Sequence, residues 1–477
     1  MIRVYNTATS SKQRLTPRRG KKISLFVCGP TVYDYAHIGH ARTYVFFDSF
    51  VKYLRSKDYN VFYLQNITDI DDKIIKKATE QKKSPFIVAE NFEREYLKDM
   101  SLLRVDSVTK YAGATANIEE IISQIERLIK KKYAYFIEND GIYYDISKFK
   151  RYGKLSKRSA VQAEDGVSRI DESVKKRNKG DFCLWKFSTK NPKKINPFEP
   201  KWRSPWGEGR PGWHIEDTAI SEKYFGAQYD IHGGGKDLMF PHHEAEIAQM
   251  EAISNKKPFV KYWMHTGFLT VNGEKMSKSL GNFITIRDFF KKHSPRILRF
   301  MVLKSHYRSP INYNKDTVEQ SIQELKKIDE FLCKINNLRK TDDKNKDITK
   351  LIKSTKSKIE KSLNDDFNTP LVVASLFKFI TKINTSLSKD NVASGDVDEI
   401  MDFLKEIDKV LHFIIASEEE LLIKEVSINK ELSRMLKERE LFREEKKWDD
   451  ADKIKKQIEK LGYLVEDTKS GPKLKKK

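Results

Sequence analysis

Cysteine is scarce in these 477 residues: Cys28, Cys183 and Cys333 are the only three, odd in number and far apart. Such a set builds no disulfide framework, which excludes the stapled secreted scaffolds and points to a reducing compartment. Long apolar runs are missing as well. Nothing approaches the ~20 consecutive apolar residues that span a bilayer, and the richest stretch, residues 371–380, is short and holds Lys378. Residues 1–20 carry no apolar core of the signal-peptide kind. The expectation is a cytoplasmic chain with no membrane partner. No internal repeat is present. Acidic residues are in deficit, 68 Asp and Glu against 91 Lys and Arg, a formal net charge of +23. That excess favours a polyanionic partner, nucleic acid or an anionic surface. The length suggests about three domains.

What is present is organised around residues 28–40, Cys-Gly-Pro-Thr-Val-Tyr-Asp-Tyr-Ala-His-Ile-Gly-His. The apolar run 23–27 before it reads as a buried strand, 41–54 after it as a helix, and 59–66 as a second strand. The motif therefore lies where a strand hands over to a helix, at the strand end where open α/β sheets bind ligands. It also faces a helix N-terminus, whose free N–H groups favour phosphate. Gly29 and Gly39 allow close backbone approach, Cys28 adds a thiol, and His37 and His40, three apart, share one side of a first helical turn.

Further along, Lys275-Met276-Ser277-Lys278-Ser279 forms a basic loop after a strand-and-loop region at 259–271. Together with His-Ile-Gly-His at 37–40, and in this order, it resembles the paired signatures of class I aminoacyl-tRNA synthetases. The resemblance implies that His37, His40, Lys275 and Lys278 stabilise a phosphoryl transition state. It further implies that Gly39, Ser277, Lys278 and Ser279 contact ATP, with Mg²⁺ accompanying the nucleotide. Charge builds on the phosphoryl oxygens as a carboxylate attacks the α-phosphate, and ammonium groups on a loop meet that charge.

Pro241-His242-His243-Glu244-Ala245-Glu246 opens a helix in which His242 and Glu246, at i and i+4, share a face and suit one metal ion, while His243 and Glu244 are expected to point elsewhere. This hexapeptide joins Gly-Arg-Pro-Gly-Trp-His-Ile-Glu (209–216), Asp-Ile-His-Gly-Gly-Gly (230–235), Asn-Ile-Thr-Asp-Ile-Asp-Asp-Lys (66–73), Asp-Asp-Phe-Asn-Thr-Pro (365–370) and Lys-Trp-Asp-Asp-Ala-Asp (447–452). As a set they resemble the cysteinyl-tRNA synthetase family over nearly the whole chain. The resemblance implies a cysteine–tRNA ligase that uses ATP, L-cysteine and tRNA(Cys), with one zinc ion selecting the substrate thiol. It places Cys28, His242 and Glu246 on that metal. The family's second cysteine is replaced here by Asp217. Either zinc is retained by Cys28, Asp217, His242 and Glu246, which is the favoured reading, or the site is metal-poor and cysteine is chosen some other way. The resemblance also places Cys28, Thr68, Trp213 and His232 around the amino acid, Asp237 at the adenosine ribose, and Arg443, Trp448 and Asp452 against tRNA. The family's closing aromatic is missing after Gly471.

The expected architecture is α/β: a Rossmann-type parallel-sheet catalytic domain with an insertion, then an all-α bundle and a small C-terminal anticodon-binding module. The expected bounds are 1–132 and 191–255 for the two catalytic halves and 133–190 for the insertion. Residues 256–316 are the loop and stem-contact region, 317–413 the bundle, and 414–477 the last module. Gly212 to Glu216 is expected as a strand, 341–356 as a loop or a frayed helix junction, 414–428 as a linker and 470–477 as a basic tail. Nothing in the sequence requires more than a monomer. Two alternatives stay open: a tRNA-independent cysteine ligase acting on a small amine, and a non-catalytic tRNA-binding paralogue.

Overall fold

The computed structural model describes residues 1–158, 173–189, 191, 195–278, 280–338, 345–389, 392, 395–416, 418–468 and 471–476. They form two compact units, Met1–Ile414 and Ile415–Lys477.

The first unit is built on a five-stranded parallel sheet in the order Val260–Thr266, Tyr229–Gly235, Lys22–Val27, Asn60–Ile67, Lys110–Gly113. From Lys22–Val27 the chain builds outward to one side, and it later returns to build the other half from Tyr229–Gly235. The order thus reverses between these two neighbours, and their carboxyl ends open the crevice where such sheets bind ligands. Strand Lys22–Val27 is apolar because both faces are covered: Ile23, Leu25, Phe26 and Val27 are all buried. Helix Ile38–Ser56 crosses one face with Phe46, Phe47, Phe50 and Val51 buried. A four-stranded antiparallel sheet takes three strands, Ala134–Ile137, Gly141–Tyr144 and Phe182–Phe187, from the region read as an insertion and a fourth, Gly209–Pro211, from beyond it. Strands Glu274–Lys275, Leu269–Val271 and Ile311–Tyr313 form a small sheet that carries the second basic motif. Helices Lys315–Asn336, Lys346–Asn364, Thr369–Leu387 and Gly395–Leu411 follow. Among the described residues no helix is long and apolar enough to cross a membrane.

Four local expectations are corrected. Residues Gly212 to Glu216 are not a strand. Gly209–Pro211 is the strand, Gly212 caps with extended backbone, and helix Trp213–Phe225 begins at once. His214 through Ser221 are all buried, so this helix shows no polar face, and a buried run does not reveal its period. The 341–356 loop is helical from Lys346, because Ile348, Ile352, Ile359 and Leu363 make a thin buried stripe among lysines; residues 341–344 lie outside the described residues. The expected linker at 414–428 is helical from Glu418, within helix Glu418–Glu444. The basic tail is instead strand Gly471–Lys476, paired antiparallel with Tyr463–Thr468. In the second unit these elements and helix Trp448–Lys460 close on a small core that includes Leu432, Met435, Ile458 and Val465.

Candidate active site

A cleft of about 260 Å³ opens at the crevice between Lys22–Val27 and Tyr229–Gly235. At its mouth, His37 is the N-cap of helix Ile38–Ser56 and His40 is its third residue. The two rings stack with centroids 3.7 Å apart. The backbone N–H of His40 donates to Nδ1 of His37, and the N–H of His37 donates to Nδ1 of His40, each at 3.3 Å. A backbone N–H only donates, so both Nδ1 atoms carry lone pairs and both Nε2 atoms carry the protons. Burial keeps both rings neutral. It pushes His37 down to about 4, and it drives His40 well below its ordinary value with help from the neighbouring His37. The motif therefore offers two fixed neutral N–H donors at a helix N-terminus, a suitable arrangement for phosphoryl oxygens. Gly39 is required between them, since a Cβ there would lie 2.9 Å from the His37 ring.

The second motif faces the first. Ile38 donates its N–H to the Ile284 carbonyl at 3.2 Å and Ile286 to the Ala36 carbonyl at 2.8 Å, stitching the loop's far end to the helix start. Lys275 lines the cleft. Lys278 is half-exposed, pairs with Asp34, and rests 5.1 Å from the ring centres of Tyr33 and Phe283. The Ser277 N–H donates to Asn282 Oδ1 at 2.8 Å. Ser279 lies outside the described residues. Asp237, in the turn Lys236–Met239 after the triple glycine, lines the same cleft.

At the cleft floor Cys28, Thr68, Asp217, Trp213 and His242 come together. Cys28 Sγ sits 3.2 Å from His232 Nε2, 3.2 Å from His243 Nε2 and 4.0 Å from Glu246 Oε1. His242 Nε2 sits 3.1 Å from Asp217 Oδ2 and 3.3 Å from Glu246 Oε1. His243 therefore does not point elsewhere, as expected from the sequence, but onto Cys28. At i and i+3 it shares a helix side with Glu246, and this helix is buried on every side. Two quartets result, sharing Cys28 and Glu246: one completed by Asp217 and His242, the other by His232 and His243, with ligand atoms in each within 4.8 Å of one another. Burial raises the Cys28 thiol well above its ordinary value, with Asp217 and Glu246 adding to it, and Glu246 is raised likewise by burial and then Asp217. Glu246 Oε2 is buried and makes no hydrogen bond. A thiol, two carboxylates and imidazoles confined without a compensating cation are a donor set that fits a zinc ion.

Side chains beyond those expected on the metal hold this floor in place. His214 Nδ1 meets His242 Nδ1 at 2.7 Å, and Trp213 stacks on the His242 ring at 4.2 Å, which together turn Nε2 of His242 toward Asp217. Tyr229 OH meets His232 Nδ1 at 2.6 Å, and His265 Nε2 meets His243 Nδ1 at 2.9 Å. Tyr229 lies three residues before His232 on the same strand, whereas His214 and His265 reach across from separate elements, where no spacing rule exposes them.

Comparison with known proteins identifies the family of the chain. A family model described as tRNA synthetases class I (C) catalytic domain matches residues 14–323, a DALR domain matches 358–415, and a cysteinyl-tRNA ligase anticodon binding domain matches 427–472. A protein of Thermococcus gammatolerans named cysteine–tRNA ligase is 43% identical over 484 residues, spanning 98% of each chain. One of Thermoplasma acidophilum with the same name is 44% identical, again over 98% of each. The chain belongs to the cysteine–tRNA ligase family. Solved structures support the class I fold: methionyl-tRNA synthetase of Mycobacterium tuberculosis aligns with TM-score 0.57 at 13% identity over 77% of this chain and 83% of that one. A leucyl-tRNA synthetase (LeuRS) of Agrobacterium radiobacter K84, solved with tRNA, aligns with TM-score 0.61 at 10% identity over 83% and 84%.

Within the segment matched by the family's anticodon-binding model, Arg443 pairs with Asp467 at 2.7 Å, and Arg439 makes a two-pronged pair with the same carboxylate. Trp448 is 58% exposed at the start of helix Trp448–Lys460, and Asp452 is exposed one turn on.

Proposed function

We propose that this chain joins L-cysteine to the terminal ribose of tRNA(Cys), using ATP and its magnesium. The observation that carries the reading is a single cleft with a thiol, carboxylates and imidazoles at its floor and two neutral imidazole donors facing a lysine loop at its mouth. In the first step the cysteine carboxylate attacks the α-phosphate, the α–β bridge breaks, and pyrophosphate leaves as cysteinyl-adenylate forms. Nε2–H of His37 and His40 would donate to phosphoryl oxygens, with Lys275 and Lys278 closing on the departing phosphates. Catalysis is then positioning plus charge stabilisation, with no side chain acting as nucleophile. In the second step a hydroxyl of the terminal ribose attacks the adenylate carbonyl and AMP leaves. Asp237 would hold the adenosine ribose.

Cys28, Asp217, His242 and Glu246 would hold zinc, and Thr68, Trp213 and His232 would shape the amino-acid pocket around it. Bound there, zinc supplies a soft centre that takes the substrate's sulfur in preference to a neutral hydroxyl. Serine differs from cysteine by one atom, and an apolar pocket separates such pairs by only ~1–3 kcal/mol. Arg443, Trp448 and Asp452 would meet unstacked tRNA bases. The sparse cysteines fit a cytoplasmic enzyme, and we take the working form to be a monomer. Cysteine-dependent ATP–pyrophosphate exchange followed by charging of tRNA(Cys) tests the reading. Exchange without charging would favour a small-amine ligase, and neither activity would favour a non-catalytic tRNA binder.

A further inference from the structure

Asn66 is the last residue but one of strand Asn60–Ile67, adjacent to the strand that delivers Cys28, and is almost fully buried. Its side-chain oxygen accepts the Gly29 N–H at 2.6 Å, and its side-chain nitrogen donates to Asp217 Oδ1 at 2.6 Å. The orientation of this amide is not arbitrary. Gly29 N–H can only donate, so the oxygen faces Gly29 and the NH₂ is left for the carboxylate. A Cβ on Gly29 would lie 1.7 Å from the Asn66 carbonyl oxygen, so the two backbones are locked at close approach. The Asn66 side chain therefore ties the residue after Cys28, on the sheet, to Asp217, on helix Trp213–Phe225.

A carboxylate in a metal site raises a problem that a thiolate does not. It has two oxygens, and a short Cα–Cβ–Cγ arm lets either or both face the ion. Here Oδ1 is occupied by Asn66, and Oδ2 is the atom 3.1 Å from His242 Nε2 and aimed into the cluster. Resting on the reading above that Asp217 is a metal ligand, we propose that Asn66 is a positioning residue that makes aspartate usable there. By holding Oδ1, it leaves Oδ2 as the single ligand atom. Hydrogen-bonding partners of this kind set ligand direction, and their loss costs about 10–100-fold in metal affinity.

The test is zinc affinity of the full-length chain, measured by competition with a chromophoric chelator. Asn66→Ala is made in the natural background and in Asp217→Cys. A sulfur ligand has one donor atom and needs no such restraint, whereas any damage to the Gly29 turn is common to both backgrounds. The expected result is a loss of about 10–100-fold beside Asp217 and a far smaller one beside cysteine. Equal losses in both, or none in either, overturn the proposal while leaving the metal reading intact. A natural chain that takes up no zinc overturns the metal reading and this proposal with it. Should Asn66→Ala not fold, Asn66→Asp decides: it still accepts from Gly29 but repels Asp217, so affinity should fall, and a natural affinity would contradict the proposal.

Discussion

Replacing Lys278 by alanine should separate chemistry from folding. The side chain is half-exposed, pairs with Asp34 and lies 5.1 Å from the Tyr33 and Phe283 ring centres. An exposed ion pair contributes about 0–1 kcal/mol, and a cation over an exposed ring about 0.5–1 kcal/mol. The folded state should therefore lose about 1–3 kcal/mol at most, a melting shift of a few degrees for a chain this large. The catalytic loss should be much larger. Removing one preorganised group that meets developing transition-state charge costs about 2.7–4 kcal/mol, 10²–10³ in rate. The assay is cysteine-dependent ATP–pyrophosphate exchange, run beside thermal melting and tRNA binding. Exchange should fall by two to three orders while melting and tRNA affinity stay near natural values. Asp34→Ala is the companion. It frees the ammonium without removing it, so exchange should stay within a few-fold. Natural exchange rates in Lys278→Ala would refute the role given to this loop.

Cys28→Ser should lose both zinc uptake and preference for cysteine over serine, read by metal analysis and by exchange with each amino acid. It removes the only thiol of the cluster. Acid should destabilise the first unit in a defined window. Burial lowers His37 from 6.5 to about 4, so between those values the unfolded chain binds the extra proton. The associated stability is intact above about 6.5 and disappears as pH falls through 4. It amounts to at most about 3 kcal/mol from this ring, and is followed by denaturant melts from pH 7 to 4. A flat profile across that range would contradict the buried neutral pair. Trp448→Ala should change melting by no more than about 0.5 kcal/mol, as for an exposed site, yet raise the KM for tRNA(Cys) and leave pyrophosphate exchange untouched.

The catalytic sheet was legible because its strands obey simple rules: 23–27 is apolar but for Ser24, and the motif after it opens a helix with a reciprocal cap. Misreadings fell where burial erased periodicity, as in helix Trp213–Phe225, or where lysines diluted a narrow apolar stripe, as in Lys346–Asn364. The stacked pair was readable from spacing because His37 and His40 belong to one turn. At the cleft floor spacing was less informative. The i, i+4 rule that selected His242 leaves out His243, whose i, i+3 relation to Glu246 is equally effective on a helix with no solvent face. His214, His265 and the two-sided amide of Asn66 act through space from separate strands and helices, and no local pattern encodes such contacts.

The account stands most directly on the cluster of Cys28, Asp217, His242 and Glu246 as the place where cysteine is selected. The decisive measurement is metal content of the purified chain together with cysteine-dependent ATP–pyrophosphate exchange before and after chelation. One zinc per chain is predicted, with exchange abolished by its removal and restored when zinc is returned. Full exchange in a metal-free preparation would contradict it.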